Sequence, residues 1–299
     1  MRPFLAAGLS GRAILGSYRS AGSYFDCVPK GAPDSILGLS LEFQHDPHPN
    51  KVNLAVGVYR DDNNRPFVLE SVKKADTSGD MEYAPINGVP SFLKVAQKLC
   101  FGDDCSAIRD GRIASCQTLG GTGALRISGE VLHRFIMPNL IVAQSFAKNF
   151  GLYGHRCGAL HIIAENPAQV ESILSQTALI IRSTYSNPPI FGARVVNSVL
   201  NSPELTAIWR EELNMMSGRL RSVRQRLVKE LKECGSTLDW SHVVRQIGMM
   251  AYTGLTKEQV ELLKKKHHVY MTLNGRAAIS GLNSTNVVYV AKAFHDVTK

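Results

Sequence analysis

The chain has 299 residues, of which 44% are hydrophobic and 20% are charged, and its formal net charge is +9. This hydrophobic content can supply a sizeable core, which argues against wholesale disorder, and no apolar run approaches the roughly 18 residues of a membrane span. We therefore expect a soluble globular protein of roughly two domains. The six cysteines include no CxxC pair, which favours free thiols and no metal site.

The first 25 residues contain three arginines, four serines and no acidic residue before Asp26. This composition is typical of a mitochondrial transit peptide, although a disordered tail without a targeting function also fits it. We predict a transit peptide over residues 1–28 and a location in the mitochondrial matrix. Residues 26–50 are rich in Pro, Asp and His and indicate an extended arm.

The next segments alternate strand and helix patterns. Residues 52–56 favour a short strand, residues 91–100 a helix, and residues 139–143 a buried strand followed by a loop at 145–151. A glycine-rich turn at 119–123 opens another helix. Free N–H groups at such a helix start suit a phosphate, although most such turns are only tight connections.

The C-terminal part begins with a long amphipathic helix, which Ser202 caps and Pro203 starts. Residues 249–255 and 269–271 favour strands, while Thr256 and Ser284 are expected to cap two further helices. The basic cluster at 264–268 lacks interleaved aromatic residues, so we expect no nucleic-acid partner. Mixed strands and helices without repeats predict the α/β class.

Lys148 is the strongest candidate for chemistry. It follows a predicted strand, with Ser145 before it and Arg156 after it. A lysine that forms a Schiff base must be partly neutral, and burial and nearby cations lower its pKa. Ser145 and Arg156 could hold a phosphate, the arginine through two parallel hydrogen bonds. From chemistry alone, an ordinary surface lysine remains the alternative.

Several motifs in chain order resemble the aspartate aminotransferases, a fold-type I family that uses pyridoxal phosphate. The lysine motif at residues 143–158 resembles the family's cofactor-binding lysine segment, and the resemblance covers nearly all of residues 30–299. The other matching segments are residues 52–75, 82–86, 119–126, 182–189 and 246–299.

The resemblance implies an α/β fold-type I aminotransferase with a truncated large domain, which contains a mixed sheet, and a smaller α/β domain. We expect the N-terminal arm and part of the small domain at 29–67. The large cofactor-binding domain is expected at 68–215, shortened internally near 135–139, and the small C-terminal domain at 216–299.

The same resemblance implies the roles of the site residues. Lys148 would be the catalytic lysine that binds pyridoxal 5'-phosphate and moves the substrate proton. Gly57 would lie by the substrate α-carboxylate, Arg276 would pair with that carboxylate, and Arg182 would pair with the distal carboxylate across a homodimer interface. The cofactor phosphate would be held by Gly121, Thr122, Ser145, Arg156 and, from the neighbouring subunit, Tyr83.

The chain departs from the family between the helix that ends near Phe135 and the strand before Lys148. A stretch on the order of a hundred residues, comparable to a small domain, is absent there. In the family it supplies a stacking aromatic ring, an Asn and a Tyr at the cofactor's 3-oxygen, and an Asp at its pyridine nitrogen. Glu130 is the only acid between Thr122 and Lys148, and its helical position makes it no replacement.

The sequence therefore predicts an enzyme that transfers the amino group of L-aspartate to 2-oxoglutarate, which gives oxaloacetate and L-glutamate. Dicarboxylic amino acids and 2-oxo acids are its expected partners, and a homodimer its expected assembly. The alternative is a catalytically impaired truncated isoform that acts at most as a non-catalytic dimer partner.

Overall fold

The computed structural model describes residues 29, 36–79, 82–135 and 140–299. The predicted transit peptide and Asn139 lie outside the described residues. Ser35–Lys299 forms one compact unit. None of the helices in the described ranges combines the length and hydrophobicity needed to cross a membrane.

Helices and strands alternate along the described chain. The helices are α1 (Leu37–His45), α2 (Glu70–Lys73), α3 (Pro90–Phe101), α4 (Ser106–Arg109), α5 (Gly120–Arg134), α6 (Pro167–Thr184), α7 (Ile190–Asn201), α8 (Pro203–Glu233), α9 (Ser241–Arg245), α10 (Lys257–His267) and α11 (Val287–Thr298). The strands are β1 (Val52–Asn53), β2 (Ile113–Leu119), β3 (Ile141–Ser145), β4 (Cys157–Ile163), β5 (Met250–Tyr252), β6 (Val269–Tyr270) and β7 (Arg276–Ala278).

A three-stranded sheet of order β2-β4-β3 positions the chemistry. Strand β4 runs antiparallel to both neighbours, with Cys157 opposite Leu119 and Gly158 opposite Ser145. The end of β2, where α5 begins, therefore lies beside the end of β3, where the Lys148 segment begins. Two smaller sheets pair β1 with β6 in parallel and β5 with β7 in antiparallel orientation.

Buried apolar side chains form three clusters. One packs α8, α10 and α11 around residues such as Leu227, Leu263 and Phe294. A second surrounds Phe146 and Phe150 on both sides of Lys148. The third lies between the three-stranded sheet and helices α5 and α6. The α/β class predicted for this chain is thus confirmed, whereas the three-stranded sheet is antiparallel throughout and not the mixed sheet that was expected.

The long helix and the α10 cap were predicted correctly. Ser202 Oγ accepts the Leu205 N–H at 3.2 Å at the start of α8. At the start of α10, Thr256 Oγ1 accepts the Gln259 N–H at 3.3 Å, while the Gln259 side chain accepts the Thr256 N–H at 2.9 Å. This reciprocal pair is a capping box.

Three local predictions were wrong. The arm at 26–50 contains helix α1, whose end is held by Lys51 Nζ against the carbonyls of Phe43 at 2.8 Å and Asp46 at 2.7 Å. Ser284 does not cap the last helix, because Asn283 Oδ1 accepts the N–H of Asn286 at 2.9 Å and α11 begins only at Val287.

The third correction concerns β3, which is an edge strand and not a buried one. Among the described residues it pairs with β4 alone, and Ala143 and Ser145 are exposed. An apolar run is compatible with either position, so the sequence pattern could not separate them. The exposed edge lies directly before Lys148.

Candidate active site

Lys148 lies in the turn after β3, between the buried rings of Phe146 and Phe150. These rings pack edge to face, with centroids 5.8 Å apart, and fix the backbone while the lysine side chain stays exposed. Lys148 Nζ donates a hydrogen bond to the carbonyl of Gly57. The amine is therefore held on one side by the loop after β1 and open on the other.

The surroundings of Lys148 lower its pKa. Desolvation is the largest cause, and the positive charges of Arg156 and Arg276 add to it. Each effect disfavours the ammonium form. A larger neutral fraction at a given pH makes the amine a better nucleophile towards an aldehyde.

An anion cradle forms where α5 begins beside β3. Gly120 has φ +68°, and a Cβ there would lie 2.8 Å from Arg156 Nη2; a Cβ on Gly121 would lie 3.2 Å from Ser145 Cβ. Only glycine leaves space between the helix start, the serine and the guanidinium. The free N–H groups and the positive end of the 15-residue helix also favour an anion.

Thr122, which the sequence resemblance predicts to hold the phosphate, lies exposed in the first turn of α5. The close approach of β4 completes the cradle from behind, since a Cβ on Gly158 would lie 2.5 Å from the Gly120 carbonyl carbon. The structure thus brings Gly121, Thr122, Ser145 and Arg156 to one place, as their predicted common role requires.

Gly57 and Arg276 reach the same site from the small sheets. Arg276 starts β7 opposite Tyr252, is half-buried, and acts electrostatically on Lys148. A Cβ on Gly57 would lie 3.5 Å from Lys148 Nζ and 2.1 Å from Met250 Cε. Gly57 therefore lets the methionine and the lysine approach the same backbone position.

Tyr83 and Arg182 lie apart from this group. Tyr83 is 86% exposed, and Arg182 is an exposed residue near the end of α6 that donates to Ser186 Oγ. Arg182 is not among the charges that act on Lys148. The two segments meet each other, because Asn187 Nδ2 donates to the Ala84 carbonyl at 2.7 Å.

A carboxylate for the cofactor's pyridine nitrogen does not come from Glu130. Its two oxygens pair with Arg126 at 2.6 Å and Arg134 at 3.7 Å on the surface of α5. Among the described residues, no carboxylate contributes to the pKa shift of Lys148. Within the described part of the chain, the structure thus places the amine beside an anion cradle and brings no carboxylate to act on that amine.

Tyr153 and Met250 join the site without having been predicted to do so. The Tyr153 ring centroid lies 4.6 Å from Lys148 Nζ, and Met250 fills the space beside Gly57. Tyr153 stands five residues after Lys148, in the same motif, and this proximity was the only sequence signal. Met250 lies about a hundred residues away, so only tertiary packing could reveal it.

Comparison with known families agrees with this geometry. The model of aminotransferase class I and II matches residues 49–136 and 133–294. The two matched parts meet at 133–136, where the sequence predicted an internally shortened large domain. A match in two adjoining parts is expected when a segment inside a domain is missing.

Similar proteins span the same motifs. The mitochondrial aspartate aminotransferase of Dictyostelium discoideum is 36% identical, with 91% of this chain and 92% of that protein covered. That of Arabidopsis thaliana is 31% identical, with 95% and 94% covered. The first alignment runs over 394 positions although this chain has 299 residues. A long segment of that relative therefore has no counterpart here.

Solved structures are similar in fold as well. A mitochondrial aspartate aminotransferase from Trypanosoma brucei is 44% identical with a TM-score of 0.85, and 88% of this chain and 100% of that chain are covered. An aromatic-amino-acid aminotransferase from Burkholderia pseudomallei, covalently bound to pyridoxal phosphate, is 29% identical with a TM-score of 0.86, and 93% and 100% are covered.

Proposed function

Since the chain belongs to the aminotransferase class I and II family, we propose that it transfers the amino group of L-aspartate to 2-oxoglutarate. The observation that carries the proposal is one group of residues: a lysine with a lowered pKa, an anion cradle beside it, and Arg276 within electrostatic reach. Relatives named mitochondrial aspartate aminotransferase support aspartate as the donor.

Pyridoxal phosphate is the cofactor of this family. Of its phosphate, its aldehyde and its ring nitrogen, the site fits the first two. The space that glycine leaves beside Ser145 and Arg156 suits the phosphate, and the Lys148 amine suits the aldehyde. When bound, the cofactor supplies an electron-withdrawing ring that takes up charge from the substrate carbon. The group that would keep its ring nitrogen protonated belongs to the missing segment.

The chain's own residues account for binding and proton movement. Arg276 would pair with the substrate α-carboxylate beside Gly57, because a guanidinium matches a carboxylate with two charge-assisted hydrogen bonds. Lys148 Nζ would take the proton from the substrate Cα, because its hydrogen bond to the Gly57 carbonyl holds the amine beside the proposed position of the substrate. Arg182 would bind the distal carboxylate in a neighbouring subunit, and Tyr83 would reach that subunit's phosphate.

We infer a homodimer in the mitochondrial matrix, with a transit peptide over residues 1–28. The exposure of Tyr83 and Arg182 supports the dimer, since both predicted roles need a second subunit. The names of the relatives support a mitochondrial protein. Separate apolar clusters around α8, α10 and α11 and around Phe146 support a small and a large domain, whose boundaries we propose near residues 67 and 215.

A second candidate is a catalytically impaired chain that binds an intact subunit. The absence of the central segment favours it, because a ring nitrogen without a carboxylate partner is a weaker electron sink. Both candidates keep the phosphate cradle and Lys148. They differ in turnover, not in cofactor capture.

The test is to add pyridoxal phosphate to the purified full chain, record its absorbance band, and then assay oxaloacetate formation from aspartate. We expect a band that Lys148→Ala abolishes and turnover that Arg276→Met lowers. Lys292→Ala, an exposed helix position in α11, is the control and should change neither. A Lys148-dependent band without turnover would reject the enzyme and favour the impaired chain.

A further inference from the structure

Tyr153 contacts three separate parts of the site. Its ring centroid lies 4.6 Å from Lys148 Nζ, its hydroxyl accepts the Tyr59 N–H at 3.0 Å, and its backbone carbonyl accepts a hydrogen bond from Arg156 Nη1 at 3.0 Å. One residue thus joins the lysine, the loop that carries Gly57, and the cradle arginine.

The ring and the hydroxyl act on the same contact. A cation over an aromatic face is attracted by the ring quadrupole, which keeps the Lys148 ammonium over Tyr153. The hydroxyl fixes the backbone of Tyr59, two residues after the Gly57 carbonyl that accepts from Lys148. Tyr153 therefore holds both the donor and the acceptor of the Lys148–Gly57 hydrogen bond.

We propose that Tyr153 is a positioning residue, which holds the Lys148 amine through its ring and the Gly57 loop through its hydroxyl. This deepens the proposed function, because it names what orients the amine that acts on the substrate. The contacts themselves do not depend on the substrate, so they can be tested in the protein without turnover.

The Tyr153 ring changes the pKa of Lys148 in the direction opposite to the other groups that face this lysine. Desolvation, Arg156 and Arg276 lower the pKa of this lysine, whereas an aromatic face favours the ammonium form. The replacement Tyr153→Leu keeps an apolar body but has no ring. We expect it to lower the pKa of Lys148 further, which should raise the acetylation rate of this lysine about threefold at a fixed pH below that pKa.

The measurement is competitive acetylation with trace acetic anhydride across pH, with Lys148 and the exposed Lys292 quantified by mass spectrometry in the same sample. The matched control is Tyr289→Leu, which removes a part-buried tyrosine whose hydroxyl donates to the His267 carbonyl at 2.7 Å in another core. It should leave the Lys148 profile unchanged. An unchanged or raised pKa in folded Tyr153→Leu, or an equal shift in the control, would overturn the proposal.

Tyr153→Phe separates the role of the ring from that of the hydroxyl. It also tests the proposal if Tyr153→Leu does not fold. It keeps the ring, so the Lys148 profile should stay that of the parent chain. It removes the acceptor for the buried Tyr59 N–H, so hydrogen exchange of the 57–60 segment should accelerate about tenfold. A shifted profile or unchanged exchange would contradict the proposal. Neither measurement depends on amino transfer. A failure of this proposal can therefore be told apart from a failure of the proposed activity.

Discussion

At the scale of single residues, the site depends on a short approach between the Gly57 loop, Lys148 and Met250. A Cβ on Gly57 would come within 2.1 Å of Met250 Cε and within 3.5 Å of Lys148 Nζ. The methionine can move because its side chain is flexible, whereas the lysine must keep its place. Gly57 is therefore a position where a small change affects function more than stability.

We predict that Gly57→Ala lowers kcat/KM for aspartate by roughly tenfold, because the methyl group would displace Met250 and fill space beside the proposed position of the substrate α-carboxylate, and one misfitting methyl group costs about 1–3 kcal/mol. Steady-state kinetics and a thermal melt check the two effects separately. Gly129→Ala, a substitution into open space on α5, should keep full activity. A fully active Gly57→Ala enzyme would show that the space beside Gly57 is not needed by the substrate.

At the scale of elements, a buried polar chain crosses the three-stranded sheet. Ser115 Oγ on β2 lies 2.7 Å from His161 Nδ1 on β4, whose Nε2 lies 2.9 Å from Gln144 Oε1 on β3. Gln97 Nε2 of α3 donates to Ser115 at 2.7 Å. These hydrogen bonds tie β3, an edge strand, to the rest of the sheet.

Burial lowers the pKa of His161 from 6.5 to about 4. Because the unfolded chain binds a proton in this range and the folded chain does not, folding stability is present above pH 6.5 and is lost as the pH falls towards 4. We predict a loss of about 2 kcal/mol from this group between pH 6.5 and 5. Urea unfolding at both pH values measures it.

Two variants test whether His161 causes this loss of stability at low pH. His161→Gln should remove this pH dependence while His295→Gln, a half-buried position on α11, should keep it. Equal slopes in the parent chain and in His161→Gln would show that other groups cause the acid sensitivity.

At the scale of the molecule, the shortened segment leaves apolar side chains exposed on one side of α5 and before β3. Leu125 is 66% exposed, Leu132 51%, Phe135 39% and Leu140 59%. Large exposed apolar patches promote association, and the outer edge of β3, to which no other described strand pairs, adds a row of backbone groups that could do the same. These features lie on both sides of the junction between the two matched parts of the family model.

We predict that inserting the corresponding segment of the Trypanosoma brucei aminotransferase between Phe135 and Leu140 restores a covered surface and a cofactor ring partner. The chimera should bind less of a hydrophobic dye, bind pyridoxal phosphate more tightly and turn over faster. A glycine-serine insert of the same length is the control. If that insert gives the same gain, restored length and not the segment's side chains is responsible.

Much of the site could be predicted from local sequence. Lys148, Ser145 and Arg156 stand within one motif, and the glycine turn before α5 announces an anion site because free N–H groups follow from helix geometry alone. The caps of α8 and α10 follow from side chains three residues away. Signals of this kind depend on residues that are close in sequence, so they can be recognised without the tertiary structure.

The sequence alone determined the α/β class, the family resemblance and the position of the internal shortening, and it predicted the residues that the structure groups into the cradle. The tertiary structure alone decided that β3 is an exposed edge, that part of the expected arm is helix α1, and that Tyr153 joins Lys148 to the Gly57 loop. The physical reason is distance along the chain. Tyr153 and Tyr59 are 94 positions apart, and such contacts form only when distant segments pack into one hydrophobic cluster, as Tyr59 and Leu152 do.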